Sequence, residues 1–252
     1  SKAFSGIYPE GNFSWHHLWF LPYLLVFSLI LAWPFRKIKD RPGPLVKWVG
    51  NRLKTPWGWL VFLLPLYLWE ALLEPNFNVT HALVGDWFAL INFGTLFFFG
   101  FLLISSGSPF WENVTKYRRR NLFLGLVSFC TLIFIWQFED GTLRHFTEAG
   151  VKVFNLWTWI FVLFGYAATY LNRPGRVLQY CNRAVYPFYI LHQTLTLMIA
   201  YFIMDLDWGF WAKALVLSAG TFGGSLLLYQ GVILPFKWLH PFFGLKSKAP
   251  SK

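Results

Sequence analysis

Charged side chains are scarce in this sequence: Asp, Glu, Lys and Arg make up 13% of its 252 residues, where soluble domains carry about a quarter. That shortage, beside a hydrophobic share of 56%, excludes an ordinary water-soluble domain. Cysteine is nearly absent. Cys130 falls within an apolar run and Cys181 in a basic stretch, so the two are expected at different depths and no disulfide framework is predicted. No His/Cys/Asp/Glu spacing fits a metal site, no glycine loop fits a phosphate, and no nucleophile elbow occurs. Internal repeats are also lacking, which weighs against a transporter built from repeats. The opening stretch, SKAFSGIYPEGNFSW, has no initiator Met, basic leader or signal-peptide core; a fragment or processed product is expected.

Long apolar runs are what the chain has instead, rich in its 29 Phe and 15 Trp. Seven of them approach the length that crosses a bilayer as a helix: 17–35, 56–73, 87–105, 121–138, 151–171, 185–204 and 211–234. The predicted fold is all-α, a polytopic transmembrane helical bundle formed by one domain over 1–252. The net charge of +11 does not point to nucleic acid, because the basic residues sit in short clusters between apolar runs, where they set orientation. Loops 36–54, 106–120 and 172–183 and the tail 235–252 hold 18 of the 22 Lys and Arg. Those loops are therefore expected on the cytoplasmic side, with the N-terminus outside and the C-terminus inside. An outward start without a signal peptide also implies an odd number of spans upstream.

The run 185–204 is unusual for a membrane helix. Tyr186, Tyr189, His192, Gln193 and Thr196 recur at three- and four-residue steps and share one face. Such a stripe is costly against lipid and normally faces the protein interior or a wet cavity. His192, roughly 12 Å from the cytoplasmic boundary at helical rise, is a candidate proton carrier or, equally, a packing histidine bonded to a neighbouring helix. His17 opens the first span at the outer surface, where it could take a proton from a sugar hydroxyl or simply cap the helix. Glu70 lies in the outer half of its span and needs a polar partner or water. With Asn92, Gln137 and Asn155, it outlines a polar vestibule open to the outside. Two cytoplasmic clusters, one with Arg118 and Arg119 and one with Arg173 and Arg176, could hold donor phosphates or anionic lipid headgroups, or serve orientation alone. Gly220 and Gly224 have the small-xxx-small spacing of close helix packing. Asn12 and Asn78 are outward-facing candidates for glycosylation, while Asn113 is predicted to face inward.

Two stretches carry a family resemblance. His17-Leu-Trp-Phe-Leu-Pro-Tyr-Leu-Leu25 opening one span and Tyr186-Pro-Phe-Tyr-Ile-Leu-His-Gln193 in a later one resemble the membrane acyltransferase 3 family, which includes O-antigen acetylases and glucan succinyltransferases. Asp86-Trp87 and Phe99-Gly100-Phe101 fit the same pattern. The resemblance covers essentially the whole chain, as the C-terminal spans of a longer fold from which about three spans are missing, a number the orientation argument also allows. It implies an integral membrane O-acyltransferase, in a bacterial inner membrane, that moves an acetyl or succinyl group from cytoplasmic acyl-CoA to a hydroxyl of an extracytoplasmic carbohydrate. No tightly bound cofactor is implied. In that scheme His192, Tyr189, Gln193 and Tyr186 line the donor's passage, while His17, Glu70 and Asn92 lie near the acceptor. The family's main catalytic histidine and arginine pair belong to its first spans, and Arg173 and Arg176 lie in the wrong loop to inherit that role. This chain alone is thus expected to hold scaffold and acceptor side, and to be inactive on its own. The competing classes are a transporter or flippase for a sugar or acyl substrate and, behind it, a seven-helix receptor.

Overall fold

The computed structural model describes residues 16–40, 43–77 and 79–245, and no strand occurs among them. Two compact units form, Ser1–Asn172 and Arg173–Lys252. In the first, a 3-10 turn at His16–Trp19 leads into α1 (Phe20–Asp40) and α2 (Pro44–Leu53). A composite helix then runs from Gly58 to Asn76 around α3 (Leu63–Leu68), followed by α4 (Trp87–Ser105), α5 (Ser108–Lys116), α6 (Arg118–Ile135) and α7 (Thr142–Tyr166). The second unit holds α8 (Arg176–Ile203), α9 (Phe210–Leu228) and a closing 3-10 turn, Lys237–Phe243.

Among the described residues, five helical segments are long and apolar enough to cross a membrane: Phe20–Asp40, Gly58–Asn76, Trp87–Ser105, Thr142–Leu171 and Phe210–Ile233. The other two predicted spans are helices as well, α6 and α8, but are less apolar. Three arginines open α6, and α8 carries Arg176, Arg183, His192 and Gln193. Two helices begin well before their apolar runs, α7 at Thr142 instead of Val151 and α8 at Arg176 instead of Val185. Each gains a polar turn or two that hydrophobicity alone does not mark. Two predicted loops likewise contain helices. In both α2 and α5 a proline stands in the first turn, where its missing N–H costs nothing. α2 buries Val46, Val49, Gly50 and Leu53 on one face and leaves Leu45 and Trp48 exposed.

Side-chain contacts fix the arrangement of the first unit. α1 and α4 run parallel, joined by Tyr23 to Asp86 near one end and by Phe35 stacked on Phe101 near the other. The Gly58–Asn76 segment runs antiparallel to α4 through Phe62–Phe99 and Trp69–Thr95, and antiparallel to α7 through Trp59–Phe161 and Glu70–Lys152. α6 and α7 are antiparallel too: Asn155 donates to the Gly125 carbonyl and the Ser128 hydroxyl at one level, and Trp136 to Glu148 at another. The basic segments 36–40, 43–54 and 106–120 consequently lie at one end, away from Asp86, His145 and Glu148.

That basic end is knitted by polar groups. Asn113, almost fully buried, donates to the carbonyls of Leu53 and Thr55 (2.6 and 2.9 Å), so its amide is committed to closing α2 rather than available for modification. Arg120 donates to the Pro56 carbonyl (2.7 Å) and to Asn121, and lies over the rings of Trp57 and Tyr117 at 4.3 and 4.6 Å. Burial pulls its pKa below the ordinary arginine value, and Tyr117 pulls the other way. Beneath this lies the main core, with Trp59, Phe62, Phe110, Trp157 and Phe161 each nearly sealed. Outward, Leu25, Leu29, Ile30 and Trp33 of α1 are 60–73% exposed, an apolar surface suited to lipid and hazardous in water.

In the second unit, α9 packs on α8 through its small residues. A Cβ on Gly220 would lie 2.8 Å from Ile199 Cδ1, and one on Gly224 3.3 Å from Leu195 Cδ1. The small-xxx-small spacing therefore serves close backbone approach, as read from the sequence.

Candidate active site

The stretch that opens α1 and the Asp-Trp pair before α4 meet in one buried cluster. Asp86 is 0% exposed and its Oδ2 accepts three hydrogen bonds: from the Tyr23 hydroxyl at 2.7 Å and from the backbone N–H groups of His81 and Thr80 at 2.8 and 3.1 Å. The Tyr23 oxygen in turn accepts the Leu83 N–H at 3.0 Å. Oδ1 is buried and has no hydrogen-bond partner among the described residues. These bonds hold a loop that is strained at two points, since His81 (φ 59°) and Leu83 (φ 69°) adopt the left-handed conformation, which costs roughly 1–3 kcal/mol per non-glycine residue. The loop turns the His81 ring onto Trp19, with centroids 4.0 Å apart and planes 28° from parallel. Trp19 is braced from behind by Tyr23 and Phe93.

His192 sits on α8 with Nδ1 2.7 Å from the Tyr189 carbonyl and 3.3 Å from that of Phe188. Carbonyl oxygens only accept, so Nδ1 carries the hydrogen and Nε2 is the basic nitrogen of the neutral ring. Tyr189, His192, Gln193 and Thr196 are all half-buried. Thr196 donates back to the His192 carbonyl and meets Thr221 of α9 at 3.0 Å. Thr221, Ser225 and Tyr229 follow at four-residue steps and are buried, and neither Ser225 Oγ nor the Tyr229 hydroxyl has a hydrogen-bond partner among the described residues. The α8–α9 seam is thus polar on both sides. Tyr186 packs against the closing turn, where a Cβ on Gly244 would come within 2.7 Å of its ring.

The remaining predicted residues lie apart from these clusters or in different surroundings. Glu70 stands in a π-helical turn, Trp69–Leu73, and pairs with Lys152 at 3.2 Å. Lys152 continues to Glu148 (3.5 Å), Glu148 to Arg144 (3.6 Å), and Arg144 to Asp140 (2.6 Å). Glu70 has therefore found the polar partner its position demands, in an ion chain that ties the Gly58–Asn76 segment to α7. Asn155 is likewise engaged in joining α6 to α7, Gln137 bonds its own helix at the Ile133 carbonyl, and Asn92 is half-buried on α4. Arg118 bonds the Thr115 carbonyl (2.6 Å) and lies over Tyr170, whereas Arg119 is exposed, as are Arg173 and Arg176 in the second unit. His17 belongs to the 3-10 turn before α1, and its side chain lies outside the described residues, as do Asn12 and Asn78. A cavity of about 610 Å³ in the first unit, lined from α1, α4, α5 and α7 by residues such as Phe35, Phe101, Phe110, Trp157 and Phe164, offers room for hydrocarbon and no group for chemistry.

Three features escaped sequence reasoning: the Asp86–Tyr23 pair, the His81–Trp19 stack and the Thr221–Ser225–Tyr229 row. Only the last left a readable signal, a four-residue polar repeat inside an apolar helix.

A protein-family model described as an acyltransferase domain, that of the acyltransferase 3 family, matches residues 3–230 and so runs through both units. No curated protein and no solved structure matches the chain significantly. With nearly its whole length matched, and with both of its motif stretches built into the clusters described above, the chain belongs to the acyltransferase 3 family, as a multi-pass integral membrane protein of the acyltransferase class.

Proposed function

We propose that the protein transfers an acyl group of acetyl or succinyl type from cytoplasmic acyl-CoA to a hydroxyl of an extracytoplasmic carbohydrate, within one membrane domain of the bacterial inner membrane. Family membership over residues 3–230 carries this reading. His192 supports it, because its Nδ1 is held by a backbone carbonyl at 2.7 Å within the half-buried polar stripe of α8. In the proposed scheme His192 holds the donor's thioester in place and His17 takes the proton of the attacking hydroxyl, whose oxygen bonds to the thioester carbonyl carbon as the carbon–sulfur bond breaks to release the thiolate. Tyr189, Gln193 and Tyr186 line the donor's path, and one of the two basic clusters, Arg118 with Arg119 or Arg173 with Arg176, meets its phosphates. The full-length protein, reconstituted in vesicles with labelled acetyl-CoA and a glucan oligosaccharide, is expected to form a labelled ester. His192→Ala should lower the rate about 100-fold or more, the scale on which misplacing a reacting group costs rate, at unchanged protein yield. Movement of the oligosaccharide without ester formation would favour a transporter instead.

The same reading takes α6 and α8 as the sixth and seventh membrane spans beside the five apolar segments, with the basic loops cytoplasmic. The two native cysteines, both exposed, test it. A membrane-impermeant maleimide is expected to modify Cys181 only from the cytoplasmic side, and Cys130, midway along α6, from neither side. Labelling of Cys181 from outside would invert the topology.

A further inference from the structure

The strained loop before α4 sets up a feature the acyltransfer scheme above does not use. His81 and Leu83 are the non-glycine residues with left-handed backbone among those described, and both are in this loop. Their N–H groups are tied to Asp86 and to Tyr23. Strain of this kind persists only where the surroundings over-determine it, and it gathers at binding and catalytic sites. What it accomplishes here is to lay an exposed imidazole flat on Trp19, at the end of the first unit opposite the basic loops. The other face of the imidazole is turned away from the indole. The result is a plate of two aromatic rings with a hydrogen-bonding nitrogen at its edge, braced by Tyr23 and Phe93.

An aromatic plate with a polar rim suits a ligand that is apolar on its face and hydroxylated around its edge, a combination found in pyranose rings. Charge narrows the class further. From Phe77 to Trp87 the one formally charged side chain is Asp86, and it is fully buried beneath the loop. The loop has no Lys or Arg to pair with a carboxylate or phosphate on the sugar.

We propose that the Trp19–His81 plate is the acceptor subsite and takes a neutral pyranose, stacked on the imidazole face with a ring hydroxyl bonded to the imidazole edge. This rests on the acyltransferase reading for the word acceptor, though not for the binding itself. His81 and Trp19 act as binding residues, and Asp86 and Tyr23 position them.

The test uses the full chain in lipid nanodiscs and a neutral glucose oligosaccharide bearing a diazirine. Photo-cross-linking followed by peptide mapping is expected to mark segments 16–24 and 79–86, in competition with the unmodified oligosaccharide. His81→Asn keeps a residue that tolerates left-handed backbone, so its melting temperature should match wild type while cross-linking falls at least fivefold. Trp19→Leu should give the same fall. In the vesicle assay, His81→Asn should raise the KM for the oligosaccharide about tenfold and leave that for acetyl-CoA unchanged. Cross-linking elsewhere, or wild-type labelling of both variants, would overturn the subsite whether or not acyl transfer is seen. Labelling at the plate in a wild-type protein that forms no ester would uphold the subsite and count against the acyltransferase reading.

Discussion

Asp86→Ala is expected to destabilise the first unit by roughly 2–4 kcal/mol, measured by unfolding in mixed detergent micelles. The substitution strips three donors of their acceptor at once, and each buried donor left unsatisfied costs about 1–3 kcal/mol. Part of this is offset, because the carboxylate's own desolvation cost disappears with it. Tyr23→Phe should cost about 1–2 kcal/mol, through the lost hydroxyl and the orphaned Leu83 N–H. The two changes should couple by about 1 kcal/mol or more in a double-mutant cycle, since they remove the same bond. Asp86→Asn separates charge from geometry. Its amide oxygen can replace Oδ2 while its NH2 falls where Oδ1 has no partner, and hydrogen bonds to an ionised acceptor are roughly twice as strong as neutral ones. About half the alanine penalty is therefore expected. A loss as large as that of alanine would mean that the negative charge, and not the hydrogen-bond pattern, holds the loop. Protease cutting within 79–85 should rise in the same order as the stability falls.

The second large effect is expected at Gly165. A Cβ there would run into the Val114 carbonyl and come within 3.0 Å of Arg118 Cβ. A carbonyl in a helix cannot move without moving the helix, so α5 must separate from α7. Gly165→Ala should cost about 1–3 kcal/mol, in the range of overpacked cores, although alanine is the better helix former. Gly100 provides the contrast. It lies inside α4 with nothing within 4 Å of its Cβ direction, and Gly100→Ala should stabilise by up to about 1 kcal/mol. Equal effects at the two positions would show that propensity outweighs packing in this bundle.

These positions also mark where reading the chain from its sequence succeeds and stops. The span 87–105 and both ends of α4 coincide, because Asp86 and Ser106 bracket a mostly apolar run in which Asn92 and Thr95 are too few to break the signal. α7 begins earlier than its apolar run because Arg144, Glu148 and Lys152 stand four apart and pair along the helix surface, a stabilisation independent of hydrophobicity. α2 and α5 were hidden by their charge, although Pro44 and Pro109 stood where helix starts favour proline. The stripe on α8 was visible because it is periodic. Asp86 was visible only as a residue before a helix: its partner Tyr23 is 63 positions away, and no local rule connects them. Asn155 shows the converse limit, since its position near a span end fits a vestibule as well as it fits the α6–α7 contact it makes.

Arg120 joins two stages in the life of the protein. Under the proposed topology, it is one of the cations that decide which loops stay behind while the nascent chain is being inserted, a function that any positive charge can fulfil. Once the bundle has closed, the same guanidinium lies over the rings of Trp57 and Tyr117 and is hooked to the Pro56 carbonyl, a task suited to its planar, many-donor shape. Lysine at this position would preserve the first role and forfeit the second, so the biogenesis of this membrane protein and its final rigidity draw on one side chain through separable properties.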